Sequence, residues 1–156
     1  MPEAGPEQLL EQLVAIPSVM GDEMAKAEFL VDYLSRWEPR LQPVEDGTAN
    51  LWCHAPGAGR PVLLCAHLDT VPPAPGWEAP HSPRREDGNL VGLGAADMQA
   101  GVAIAVETFR ACAGGGAADA GQGGDLFNGM REIAIMLIHQ HLGAFVQVAG
   151  AGVVAK

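Results

Sequence analysis

The sequence predicts an α/β domain in which a sheet lies between helical layers. Strand-like runs alternate with helix-like runs along the chain, the pattern of a layered α/β/α domain. The run Val62-Leu63-Leu64-Cys65-Ala66 has the length and composition of a strand covered on both faces. It ends in His67-Leu68-Asp69, and ligands in open α/β sheets gather at the carboxyl ends of such strands. A chain of 156 residues has room for one domain with its own core.

Each element has a local reason. Gln8 to Ala15 and Asp22 to Trp37 read as amphipathic helices separated by Ser18 to Gly21, with Asp22 as N-cap and Leu30, Tyr33, Leu34 and Trp37 as the apolar stripe of the second. Leu41 to Val44 and Asn50 to His54 read as short strands around the turn Glu45-Asp46-Gly47, and Pro56-Gly57-Ala58-Gly59 forms a loop before the Val62 strand. Pro72 and Pro73 forbid its continuation. A helix is expected from about Met98 to Cys112 and a strand from Ile133 to Ile138. Between them Ala113 to Gly129 is so glycine-rich that it has little to bury and reads as a surface loop. A short helix is expected near Leu142 to Val148, and Ala149 to Lys156 reads as a truncated helix.

The chemistry gathers in two segments. Side chains two apart on extended backbone share a face, so Asp69 is placed to steer or polarise His67. A histidine at a strand end, taken alone, is more often structural than a ligand. In Gly92-Leu93-Gly94-Ala95-Ala96-Asp97-Met98-Gln99-Ala100-Gly101 a lone carboxylate sits in a turn of small residues that opens the Val102 to Cys112 run. Small residues let backbone and metal approach closely, and a helix start favours a carboxylate. By itself Asp97 is better read as an ordinary N-cap.

Taken together, His67-Leu68-Asp69-Thr70-Val71-Pro72 and Gly94-Ala95-Ala96-Asp97-Met98 resemble the paired signature of the M20 metallopeptidase family. That family includes acetylornithine deacetylases, succinyl-diaminopimelate desuccinylases, aminoacylases and carboxypeptidases. Leu9 to Val19 is similar to the family's opening helix and Ile-Pro-Ser turn, and Gly76-Trp77 and Glu86-Asp87-Gly88-Asn89-Leu90 to its connecting loop and short strand. The resemblance implies a three-layer α/β/α zinc-peptidase-type catalytic core, truncated and without its lid domain. Residues 1–156 then form a single partial catalytic domain, with 113–129 as the glycine-rich loop and 130–156 as a degenerate tail.

The same resemblance implies that His67 binds zinc, that Asp97 bridges two zinc ions, and that Asp69 is the catalytic-site acid orienting the histidine. One or two Zn²⁺ ions are expected, with Co²⁺ or Mn²⁺ able to substitute, and the Asp97–Met98 peptide bond is expected to be cis. An Asp-Glu-Glu triplet is expected after the Ile133 strand, where His139-Gln140-His141 stands instead. Gln140 then takes the general-base position and His141 a ligand position; the alternative is that His139 and His141 are only exposed strand-end residues. Glutamine cannot accept the proton, and loss of a positioned base costs about 10²–10⁴ in rate. Glu132 is the nearest carboxylate, at the wrong end of the strand. Residues 142–156 leave no room for the family's later acid, final histidine and lid.

The expected function is a metal-dependent amidohydrolase or peptidase domain acting on an N-acyl amino acid or small peptide, impaired as an isolated chain. The rival is a non-catalytic metal-binding or assembly module. A net charge of −10 argues against nucleic acid and anionic membranes as partners. No basic leader, and no run long enough to span a bilayer, is evident, so a cytoplasmic location is expected. Cys53, Cys65 and Cys112 form no metal or redox spacing; they are expected reduced, with Cys65 in the core. His54 and His81 read as solvated, and a partial domain is expected to leave apolar surface for self-association.

Overall fold

The computed structural model describes residues 5–44, 47–56, 61–114, 132–138, 146–149 and 152–155. Helix α1 (Pro6–Ala15) starts with proline in its first turn, where a missing N–H costs nothing, and buries Leu9, Leu13 and Val14. Helix α2 (Met24–Tyr33) leads into a 3₁₀ turn, Ser35–Trp37. Strands β1 (Arg40–Pro43), β2 (Ala49–Ala55) and β3 (Pro61–His67) follow, then the hairpin β4 (Arg84–Glu86) and β5 (Asn89–Val91). Its turn residues Asp87 and Gly88 both have positive φ, the requirement of a tight I′ connection. Helix α3 (Ala100–Gly114) and strands β6 (Glu132–Ile138), β7 (Val146–Ala149) and β8 (Gly152–Ala155) complete the described elements.

The main sheet has the order β1-β2-β6-β3. β1/β2 and β2/β6 are antiparallel, whereas β3/β6 is parallel. The sheet is therefore mixed, as an α/β crossover from β3 through α3 to β6 requires. In that register Pro61 pairs with Glu132 and His67 with Ile138, so Glu132 lies at the far end of the sheet from His67.

One core joins the helices to one face of the sheet. Leu9 and Leu13 of α1, Ala27 and Leu30 of α2, and Val102, Val106 and Phe109 of α3 meet Leu51, Cys53, Ala66, Ile135 and Leu137. The spacings 9/13 and 102/106/109 are single helical stripes, and each fully buried aliphatic side chain contributes roughly 1.5–3 kcal/mol. Trp37 closes the core edge-on against Phe109, with ring centroids 5.6 Å apart.

Several expectations are corrected. The second helix is shorter than Asp22 to Trp37: Glu23 holds the N-cap position and accepts from the Gly21 amide, and Leu34 leaves helical geometry before the 3₁₀ turn. β3 is an edge strand rather than one covered on both faces; Leu63 is 39% exposed and Cys65 is exposed, so Cys65 is not a core residue. Among the described residues all three helices pack on the opposite face, which leaves these two side chains without a covering layer. His54 is half-buried in β2 rather than solvated. The expected helix at Leu142 to Val148 lies partly outside the described residues, and Val146–Ala149 is a strand paired with Gly152–Ala155 rather than helix. In the described part of the terminal segment, Gly152–Ala155 is thus strand and not a truncated helix, and its β-branched valines suit an extended ladder.

Candidate functional site

His67 is the last residue of β3, and the chain beyond it is stitched to the turn after α1. The Thr70 amide donates to the Ser18 carbonyl at 2.8 Å, and the Met20 amide to the Thr70 carbonyl at 3.1 Å. On the other side, the left-handed Gly94 (φ +74°) turns the chain into Ala95–Gln99, ahead of α3. A Cβ at Gly94 would run into the Thr70 methyl, so the two loops approach this closely only because that residue is glycine. The Asp97–Met98 peptide bond is cis. The His67 amide, on the free edge of β3, donates to the Met98 sulfur at 3.5 Å.

The fold brings His67, Asp69 and Asp97 together across thirty positions of sequence. His67 Nδ1 lies 3.2 Å from the Asp69 carbonyl oxygen and 3.2 Å from Asp69 Oδ1. His67 Nε2 lies 3.2 Å from Asp97 Oδ1. Asp69 is buried, with 6% of its side chain exposed, whereas Asp97 is 90% exposed. These residues line an open cavity of about 270 Å³ with Thr70, Val71, Gly92, Gly94, Ala95 and Ala96.

The tautomer follows from the partners. A backbone carbonyl can only accept, so Nδ1 carries the proton and the neutral ring presents a lone pair at Nε2. That lone pair faces an acceptor-only carboxylate oxygen at hydrogen-bond distance, an arrangement that calls for a cation or a second proton between them. A metal fits on two counts. Imidazole nitrogen and carboxylate oxygen are both zinc donors. Two donors about 2.0–2.1 Å from one tetrahedral ion stand roughly 3.3 Å apart, close to the separation observed. Among the described residues no group of three or more His, Cys, Asp or Glu side chains is arranged to hold a metal. His139, Gln140 and His141 lie outside the described residues.

Sequence reasoning missed the polar layer behind the imidazole. Lys26 is 1% exposed, and Ser18, Glu23 and Gln99 are fully buried. The signal was present, because Lys26 lies four before Leu30 and eight before Leu34 and so occupies the buried stripe of α2. His81, expected to be solvated, is instead half-buried, and it does not line the cavity.

A mixed sheet with its candidate site at the carboxyl end of a strand defines an α/β domain with a strand-end site. Residues 63–122 match the model of Peptidase family M20/M25/M40. The chain is 35% identical over 104 residues to a succinyl-diaminopimelate desuccinylase of Nitratiruptor sp., covering 65% of this chain and 28% of that protein. It is 37% identical over 118 residues to the Delftia acidovorans desuccinylase, covering 67% and 31%. Human carnosine dipeptidase 1 superposes with a TM-score of 0.59 at 20% identity, covering 87% of this chain and 32% of that one. A Staphylococcus aureus tripeptidase gives 0.58 at 20% identity, covering 88% and 37%. The chain belongs to the M20 peptidase family and corresponds to the amino-terminal part of its catalytic domain. It spans less than a third of the length of these curated relatives.

Proposed function

We propose that this chain forms the amino-terminal part of a metal-dependent amidohydrolase, acting on an N-acyl amino acid or a small peptide. His67 and Asp97 are read as zinc ligands and Asp69 as the acid that orients His67. The observation that carries this reading is the imidazole held between two carboxylates, with Nδ1 toward buried Asp69 and Nε2 toward exposed Asp97. Zinc bound there supplies Lewis acidity for a scissile carbonyl and lowers the pKa of water. Asp69 fixes the ring and its tautomer; Asp97, on its small-residue turn, presents a carboxylate to the open cavity. The desuccinylase relatives support an acyl-amino-acid substrate, and their names support the same bond class. A cytoplasmic location goes with this reading. β6 ends at Ile138 beside His67, which supports reading His139-Gln140-His141 as the segment that continues the site, with Gln140 unable to act as base.

A second reading, a non-catalytic metal-binding or assembly module of the same fold, draws on the small number of ligands gathered by the described residues. Zinc competition against a chromogenic chelator, run beside hydrolysis of N-succinyl and N-acetyl amino acids, separates the two. Zinc binding lost in the His67→Ala/Asp97→Ala double variant, with weak metal-dependent turnover, is the expected result. Binding unchanged in that variant sinks the ligand assignment, and binding without any turnover favours the module.

A further inference from the structure

Behind His67 lies a buried chain of hydrogen bonds that the proposed chemistry does not use. Lys26 Nζ donates to Ser18 Oγ at 2.6 Å, and Ser18 Oγ donates to the Leu68 carbonyl at 2.9 Å. Gln99 Nε2 donates to that same carbonyl at 3.0 Å. The direction is fixed by chemistry: an ammonium has only donors, so the hydroxyl must accept from it and spend its own proton on Leu68. Leu68 is the residue between His67 and Asp69, and its side chain is fully buried. The peptide that sets the angle between the imidazole and its orienting acid is therefore clamped from two sides, by a residue from α2 through the Ser18 turn and by a residue from the turn that carries Asp97.

A buried ammonium is costly unless opposed by charge. Burial pulls the Lys26 pKa down from 10.5 to about 8, while the charges of Asp69 and Glu23 act in the other direction. An apolar residue at this stripe position would avoid the cost, yet the chain places a cation beside the acid of the site.

We propose that Lys26 is a positioning residue of the metal site, acting through Ser18 on the Leu68 carbonyl to hold His67 and Asp69 in the orientation that lets Nε2 share a cation with Asp97. This rests on reading His67 and Asp97 as ligands. Residues that orient metal ligands without touching the metal typically contribute about 10–100-fold to affinity. Lys26 and Ser18 act in series, so their losses should not multiply.

Zinc affinity of the full chain, by competition with a chromogenic chelator, tests this for wild type, Lys26→Met, Ser18→Ala, the double variant and His67→Ala/Asp97→Ala. In parallel, ¹⁵N chemical shifts of the His67 imidazole are read in zinc-free chain. Each single variant should bind zinc about ten- to a hundredfold more weakly, the double variant no more weakly than the worse single, and the His67 ring shifts should move. Where Lys26→Met fails to fold, Ser18→Ala removes the relay atom with a smaller change and decides alone. Affinity within about twofold of wild type with unmoved His67 resonances in folded Ser18→Ala overturns the proposal, as do losses that multiply independently. Unchanged affinity in His67→Ala/Asp97→Ala instead overturns the ligand reading, and the ring shifts then decide the positioning role by themselves.

Discussion

Replacing Lys26 by methionine should change how stability depends on pH. The ammonium is 1% exposed, and burial lowers its pKa from 10.5 to about 8 against the opposing charges of Asp69 and Glu23. Between those values the unfolded chain holds a proton on Lys26 that the folded chain has released. Stability therefore rises with pH through this window, and it is insensitive to Lys26 below about 8, where both states are protonated. At about 1.36 kcal/mol per pH unit, the whole gap amounts to roughly 3 kcal/mol, of which roughly 2 kcal/mol should be gained by about pH 9.5. Cys53, whose thiol burial raises from 9.0 to about 11, pulls the other way over much of the same range. The informative quantity is thus the difference between wild type and Lys26→Met, which leaves the Cys53 contribution common to both. Urea unfolding followed by circular dichroism, at intervals between about pH 7 and 10, measures it. A difference that stays flat or falls above about pH 8 would refute the reasoning, because it would mean that folding does not lower the pKa of the ammonium.

Three other outcomes are expected. Gly94→Ala places a side chain at φ +74° and against the Thr70 methyl, so it should cost about 1–3 kcal/mol and weaken zinc binding at Asp97; an unchanged thermal midpoint would argue against the close loop packing. Phe109→Ala removes a fully buried ring from the junction of α3 with the sheet and Trp37, and should cost about 3–5 kcal/mol in denaturant unfolding. Timed thiol labelling with mass-spectrometric readout should modify exposed Cys65 well before buried Cys53, although burial raises both thiol pKa values; the reverse order would contradict the open face of β3.

Local pattern was enough for much of this chain. The 9/13 and 102/106/109 spacings mark helices because side chains three and four apart share a face, and the apolar run before His67 marks a strand because its β-branched and aliphatic residues suit extended backbone. The two motifs single out His67, Asp69 and Asp97 from sequence alone. Only the tertiary structure decided that His67 Nε2 and Asp97 Oδ1 lie 3.2 Å apart across thirty positions of sequence, that β3 stands at the sheet edge with Leu63 and Cys65 open, and that Val146–Ala149 is a strand. Edge or centre, and helix or strand in a short apolar run, depend on which partner strand arrives and which face is covered, and neither is encoded within a few residues. Lys26 shows the limit most clearly. Its type predicts solvent and its spacing predicts the core. The spacing prevails because the packed fold supplies what a local window cannot, a hydroxyl from Ser18 to accept from the ammonium and the charges of Asp69 and Glu23 to hold it away from water.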